Sequence, residues 1–258
     1  MMRANLMLLR LVLREQMVQG RRALALSAAM LANNLIAFAA FALIFHFSPS
    51  IRGWTVYEYM LIYIISVIGF GIVSMFLEGT FRVGDVISTG ALDGFLCRPQ
   101  NPIPALCLRQ PDVSAGGDIA TGIILLCLMP DMTLGKFLMI VVLILSGAVV
   151  FWAISFITVC MAFWGGSASM ISGLHTTIIM LKSSPPHGMP NWLKALTLTV
   201  IPAGLINILP PSILREPWQW DYWLVLGTST VCLFVLAICI FHVGLRRYTS
   251  GNQIVQLT

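Results

Sequence analysis

The chain has 258 residues, of which 58% are hydrophobic and 10% charged, and its mean hydropathy is +0.90. A soluble domain carries about a quarter charged residues, so this composition excludes a soluble globular protein. The net charge of +5 does not indicate nucleic acid as a partner, because the cations cluster at the ends of apolar runs, where anionic membrane lipids account for them. Residues 1–258 are therefore predicted to form one all-α membrane domain.

Six apolar runs follow one another along the chain and predict six transmembrane helices. A helix needs about 17–25 apolar residues to cross roughly 30 Å of hydrocarbon, and most of the runs reach this length. The predicted spans are 24–47, 59–77, 114–130, 137–163, 166–182 and 222–245. The first two spans occupy 24–77, the next three occupy 114–182, and the sixth span with its tail occupies 222–258.

The cations divide unequally between the two sides of such a bundle. With six crossings, ten of the fifteen Lys and Arg residues share one side, in the N-terminal segment, the loop 78–113 and the tail. They are Arg3, Arg10, Arg14, Arg21, Arg22, Arg82, Arg98, Arg109, Arg246 and Arg247. The positive-inside rule places this side in the cytoplasm. We therefore expect a multi-pass protein of a bacterial inner membrane with both termini cytoplasmic.

The N-terminal segment 1–23 predicts an interfacial helix. On a helical wheel Arg3, Arg10, Arg14 and Arg21 fall within about 40° of one another, and apolar residues cover much of the remaining surface. A helix of this kind lies in the cytoplasmic interface, with its cationic stripe towards headgroups or a partner. The alternative is a solvated positively charged leader.

Polar side chains are rare inside the predicted spans. Asn33 and Asn34 lie in the first span and His175 lies in the fifth. An ionisable residue at this depth is a candidate for function, but His175 has no acidic partner at helical spacing. The three residues are therefore predicted to form hydrogen bonds between helices or to line a pathway.

Two regions of the chain are irregular. The cleanly apolar part of the third span is short, so Gly116, Gly117 and Asp118 are predicted to lie at its cytoplasmic end. Residues 183–221 carry seven prolines around an apolar stretch. A further crossing there would place the two C-terminal arginines outside. The segment 183–221 is therefore predicted to be an extracellular re-entrant segment of short helices packed against the bundle.

Motifs of catalysis and nucleotide binding do not occur in this sequence. It contains no phosphate-binding G-x-x-x-x-G-K-[ST], no H-E-x-x-H, no G-x-S-x-G and no dinucleotide fingerprint. The six cysteines form no C-x-x-C and no ligand spacing with histidine. We therefore predict a non-enzyme with no catalytic residue, metal or cofactor of its own, which draws energy from another chain or from an ion gradient.

The most specific stretch is ISTGALDGFLCRPQNP, Ile87 to Pro102, in the loop between the second and third spans. It resembles the loop of type-2 ABC exporter permeases that work with a separate ATPase and often a second permease, in which G-x-L-D-x-F-L-x-R-P recurs. The matching residues are Gly90, Leu92, Asp93, Phe95, Leu96, Arg98 and Pro99. Further similarities lie at Gly53-Trp54, Gly117-Asp118, Ile201-Pro202 and the Arg246–Gly251 ending, so the resemblance covers nearly the whole chain.

The resemblance implies a role for this loop as an ATPase-coupling element. In such permeases a short cytoplasmic helix of the loop inserts into a groove of the ATPase, which carries the ATP and Mg²⁺. Leu92, Phe95 and Leu96 are then expected to present one apolar face, with Asp93 and Arg98 beside it and Pro99 ending the helix. The alternative is an interfacial helix held at lipid headgroups.

The sequence thus predicts a permease subunit of an ATP-driven exporter. As the resemblance implies, a second permease, identical or homologous, would complete a cargo pathway at the permease–permease interface. The few charges inside the spans favour a lipid-like or amphipathic cargo. Two other classes stay open: an ion-coupled secondary transporter, which needs charges within the membrane, and a membrane-embedded transferase, which needs a convergent polar or metal site.

Overall fold

A computed structural model describes residues 20–47, 55–165 and 204–249, and this part of the chain contains helices and no strand. The α-helices are α1 Gly20–Phe47, α2 Val56–Leu77, α3 Val83–Ser88, α4 Asp93–Leu96, α5 Pro102–Cys107, α6 Gly116–Cys127, α7 Leu134–Cys160, α8 Gly204–Asn207, α9 Leu209–Arg215 and α10 Trp220–Leu245. Short 3-10 helices cover Glu78–Arg82, Val113–Ala115 and Met161–Trp164. The all-helical prediction is confirmed for the described residues.

Four of these helices, α1, α2, α7 and α10, are long and apolar enough to cross a membrane. They contain 28, 22, 27 and 26 residues. Helices α1, α2 and α10 cover the predicted spans 24–47, 59–77 and 222–245, and α7 together with the 3-10 turn Met161–Trp164 covers the predicted span 137–163. Helix α6, predicted to span 114–130, has only 12 residues, a length of about 18 Å. With the preceding 3-10 turn the helical segment is Val113–Cys127, so it begins within one residue of the predicted start of the third span and ends three residues early. The predicted span 166–182 lies outside the described residues.

The N-terminal segment is described only from Gly20 onwards. Residues 20–23 form the first turn of α1 and do not belong to a separate interfacial helix. Arg21 is thus part of the first long helix, and its side chain is exposed. Arg3, Arg10 and Arg14 lie outside the described residues, so the cationic stripe stays a prediction.

Helix α2 lies at the centre of the bundle. Ile64 and Ile65 are completely buried, and α2 packs against both α6 and α7. A Cβ atom on Gly69 would lie 3.3 Å from the Ala148 backbone nitrogen, and one on Gly147 would lie 3.1 Å from Ile65. Small residues therefore allow α2 and α7 to approach closely, as is usual for helices packed in a membrane.

The long helices α2, α7 and α10 run in the same direction. The hydroxyls of Ser146 on α7 and Thr230 on α10 share a hydrogen bond at 2.8 Å. Beyond the C-terminal ends of the same two helices, Phe163 packs against Tyr248 with ring centroids 6.2 Å apart.

Helix α1 runs opposite to α2, because Asn34 contacts Tyr63 while the later Phe41 contacts the earlier Tyr59. Helix α6 also runs opposite to α2, because Gly71 lies against Asp118 and the later Gly122 lies against the earlier Ile68. All five helices thus have one end at the loop 78–112, here named the loop end, and the other at the far end.

At the loop end the residues between α2 and α6 fold back onto the bundle. Val83, Ile87 and Leu106 are buried in the same apolar cluster as the long helices. A Cβ atom on Gly79 would lie only 2.2 Å from the Leu106 carbonyl oxygen, so only glycine fits there. The loop is therefore a packed cap and not a free linker.

At the far end the chain after Gly204 forms two short helices. Ile206 on α8 and Ile213 on α9 are buried against the bundle, and Arg215 forms an ion pair with Glu58 at the start of α2. Trp218 and Trp220, exposed at 86% and 75%, follow in the chain, which is typical of an interfacial aromatic belt. The rest of the predicted re-entrant segment 183–221 lies outside the described residues.

Candidate functional site

The candidate coupling segment consists of two short helices joined by a tight turn. Helix α3 ends at Ser88, and Gly90 adopts a φ of 75°, a left-handed conformation that glycine reaches without a steric penalty. The Leu92 amide donates to the Val86 carbonyl at 3.2 Å, which closes the turn. Helix α4 ends at Leu96 with Cys97 as its C-cap, and Pro99 lies two residues further on, where a proline prevents the helix from continuing.

Leu92, Phe95 and Leu96 were expected to present one apolar face, but they do not share one accessible surface. Leu92 is completely buried in the core of the bundle, Phe95 is half-buried against it, and Leu96 is 39% exposed. Leu92 is the N-cap residue of α4, and its side chain lies in the apolar cluster of the bundle, where burial is favourable. Leu92 therefore holds the segment to the bundle, and Leu96 is the exposed apolar side chain.

Two arginines flank the ring of Phe95. The guanidinium carbons of Arg98 and Arg109 lie 5.4 Å and 5.8 Å from the ring centroid, within the range of cation–π attraction. Arg109 was predicted only as part of the cytoplasmic charge. Its contact with Phe95 joins residues fourteen positions apart and has no local signature in the sequence.

Asp93 is directed towards the C-terminal tail. Burial raises the pKa of the Tyr248 phenol, and the neighbouring Asp93 carboxylate raises it further. Tyr248 also packs edge-on against Phe163 at the end of α7. The coupling segment is thereby connected to the ends of both α7 and α10, and Asp93 is part of this internal contact.

The C-terminal part of the segment presents a small accessible surface, here named the loop surface, made of Gly94, Leu96, Cys97, Arg98 and Pro99. All five residues are exposed. The loop surface combines one apolar side chain, one cation and a proline turn on a cap that is otherwise tied to the long helices. An exposed patch of this composition on a rigid base fits docking to a partner protein.

A second polar constellation lies between the helices. The Asn34 amide on α1 donates to the Asp118 carboxylate on α6, and the Tyr63 hydroxyl on α2 donates to the Asn34 carbonyl at 2.9 Å. Asp118 is only 4% exposed. Asn33 is exposed on the other side of α1, and His175 lies outside the described residues. The sequence indicated Asn34 as an interhelical residue and placed Asp118 at the start of the third span, but it did not predict that the two side chains, 84 positions apart, would pair.

Close backbone contact accompanies this constellation. A Cβ atom on Gly117 would lie 2.1 Å from the Ser27 carbonyl oxygen, so α1 and α6 meet where only glycine fits. The Ser27 hydroxyl donates to the Val113 carbonyl at 3.0 Å. Helices α1, α2 and α6 are thus joined by polar contacts near the loop end.

Comparison with known protein families matches residues 31–252 to the family described as ABC-2 family transporter protein. The chain belongs to this family. Comparisons with curated proteins and with solved structures gave no match. The resemblance to type-2 permeases drawn from the loop is confirmed, and the chain is the membrane component of an ABC transporter.

Family membership and the four long apolar helices together show that this permease is a multi-pass membrane transport protein. ABC-2 permeases normally work with an ATPase subunit. Within residues 20–47, 55–165 and 204–249 no three His, Cys, Asp or Glu side chains are grouped as a metal site. The predicted lack of a metal, cofactor or catalytic residue in the whole chain stays a prediction.

Proposed function

We propose that this permease is the membrane subunit of an ATP-driven exporter and that the loop surface docks a cytoplasmic ABC ATPase. The observation that carries the proposal is the division of the coupling segment into a buried part, anchored by Leu92, and the exposed loop surface around Leu96. ATP and Mg²⁺ are bound by the ATPase, and a second permease, identical or homologous, completes the cargo pathway. The cargo is lipid-like or amphipathic.

The packing of the cap supports a mechanical role for this surface. Val86, Ile87 and Leu92 belong to the same buried cluster as α2 and α7. Because protein interiors are close-packed and transmit strain, a displacement of the loop surface moves the ends of these helices. ATP-driven closure of two ATPases then switches the permease pair between inward- and outward-facing states.

We further propose six spans, with both termini and the loop end in the cytoplasm of a bacterium. The parallel direction of α7 and α10 supports the even count. Phe163 near the end of α7 packs at the loop end, whereas Arg215 after α8 contacts Glu58 at the far end. Phe163 and Arg215 thus lie at opposite ends, and the predicted span 166–182 falls between them in the sequence.

Co-purification tests the proposed docking. The tagged permease, purified from native membranes, is expected to retain an ABC-type ATPase, identified by mass spectrometry and by ATP hydrolysis in the eluate. Leu96→Asp places a charge in the apolar contact and should lower the retained ATPase at least tenfold. Thr89→Asp changes another exposed residue of the cap and should retain it. Equal retention by both variants, or no ATPase with the wild-type protein, contradicts the proposal.

An ion-coupled secondary transporter is the second candidate, since Asp118 is a buried acid between helices. Its side chain bonds Asn34 and lies in the first turn of α6, near the loop end, which favours a structural role. ATP-dependent transport in vesicles distinguishes the two: the proposal expects it to persist when a proton uncoupler is added at constant ATP. A membrane-embedded transferase would instead require a convergent polar or metal site, and the described residues hold no group of three His, Cys, Asp or Glu side chains that could bind a metal.

A further inference from the structure

A cavity of about 630 Å³ opens between the long helices and the cap, on the side of α2 that faces α7 and α10. Its volume falls within the ~300–1,000 Å³ of typical ligand sites. The walls come from four helices, α2, α5, α7 and α10, and are almost entirely apolar. Representative lining residues are Val73, Leu77, Ile103, Trp152, Phe234 and Ile238.

Polar groups meet this cavity at the loop end. Its polar lining residues are Asn101, at the start of α5, and His242, in the last turn of α10. Ile238, His242 and Arg246 follow one another at intervals of four, so they share one face of the helix. Arg246 is exposed one turn beyond the cavity. The apolar interior of the cavity thus leads to the polar side chains of Asn101 and His242 at its opening, and the Arg246 cation lies one turn beyond them.

We propose that this cavity binds one acyl chain of an anionic phospholipid, with its phosphate at Arg246. Three walls belong to helices long and apolar enough to span a membrane, where lipid acyl chains are within reach of the cavity. An apolar cavity is a poor site for water, and a hydrocarbon chain fills it with favourable contacts. A cation near the surface attracts an anionic headgroup. The inference requires only that these helices span the membrane and is independent of the ATPase and of the cargo.

Photo-crosslinking tests the occupancy of the cavity. The full-length permease is reconstituted into bilayers containing phosphatidylglycerol with a diazirine at the end of one acyl chain. Crosslinks mapped by mass spectrometry are expected on lining residues such as Ile103 and Trp152. Val149→Trp fills the cavity from α7 and should lower their yield at least fivefold. Val142→Trp, two turns away on the same helix and outside the cavity, should leave it unchanged.

A second substitution keeps the test independent of one variant's folding. Ile238→Trp narrows the cavity from α10 and should reduce the same crosslinks, with folding checked by thermal melting. If the crosslinks persist in folded Val149→Trp or Ile238→Trp protein, or fall only on lipid-facing residues such as Leu224, the cavity does not hold the chain. Either result overturns the proposal.

The headgroup part is tested with paired arginines. Replacing the probe with phosphatidylcholine carrying the same chain should lower the crosslink yield about fivefold, as expected for one surface cation. Arg246→Gln should abolish this preference. Arg247→Gln, which changes the next exposed cation in the turn after α10, should preserve it. Equal yields from both lipids in the wild-type protein would show that no anionic headgroup is selected.

Discussion

At the scale of single residues, the contact between Asn34 and Asp118 decides how α1 joins the bundle. None of the α1 side chains is fully buried, so apolar burial contributes less to its position than it does for α2. The Asn34 amide donates to the Asp118 carboxylate, and the Tyr63 hydroxyl donates to Asn34. If the Asn34 amide is removed, the buried Asp118 carboxylate loses a hydrogen bond that the surrounding apolar side chains and lipid cannot replace.

We predict that Asn34→Leu destabilises the protein by about 1 kcal/mol, the usual size of one hydrogen bond between transmembrane helices. The measurement is unfolding in mixed micelles, followed by circular dichroism. Asn33→Leu is the matched control, because Asn33 is exposed on α1, and it should leave the unfolding transition unchanged. Equal losses in the two variants would mean that the Asn34 contact does not stabilise the bundle.

At the scale of elements, close approach of backbones sets the packing of α1 against α6. Gly116 and Gly117 are neighbours in the sequence, but only Gly117 meets the backbone of α1. A Cβ atom there would lie 2.1 Å from the Ser27 carbonyl oxygen, whereas one on Gly116 would lie 3.6 Å from the Ser27 hydroxyl. The first contact is impossible without moving a helix, and the second is ordinary van der Waals contact.

Gly117→Ala is therefore expected to destabilise the permease by about 1–3 kcal/mol through overpacking. Gly116→Ala should be neutral or stabilising by up to about 1 kcal/mol, because alanine favours the helix. Thermal melting of both purified variants makes the comparison. A Gly117→Ala protein as stable as Gly116→Ala would show that α1 moves away from α6 without cost.

At the scale of the whole molecule, the loop end and the far end differ in charge. The described cations of the loop end include Arg82, Arg98 and Arg109 in the cap and Arg246 and Arg247 after α10. The far end carries Lys136 and Arg215, and Arg215 is paired with Glu58. The positive-inside rule then gives the orientation proposed above.

Cysteine labelling in intact cells checks this orientation. In a variant without the native cysteines, Gln219→Cys at the far end should react with a membrane-impermeant maleimide, and Thr89→Cys in the cap should not. Both positions are exposed, so a permeant maleimide should label both. The reverse pattern would place the cap outside the cell, and the proposed ATPase docking would then be untenable.

Much of the architecture was predictable from local sequence. Long apolar runs predicted the four long helices within a few residues at each end, because the length needed to cross hydrocarbon is a property of one window of about 20 residues. The family was predictable from a run of residues between Gly90 and Pro99, which needs no three-dimensional information. The end of α6 was predicted three residues late, since the helix stops at Cys127 with Leu128 as its C-cap, and Pro130, which cannot continue a helix, follows two residues after the cap.

The sequence by itself determined the class of the protein, its helical content and its family, since hydropathy and motif spacing are local quantities. Only the tertiary structure decided which side chains of the coupling segment face the core. Leu92 and Leu96 are chemically identical, yet one is buried and the other exposed, because the turn at Gly90 sets the direction of α4. The pairing of Asn34 with Asp118 and the cavity between α2, α5, α7 and α10 likewise depend on how distant helices are rotated against one another. Rotation is fixed by packing over the whole bundle, and no local window contains it.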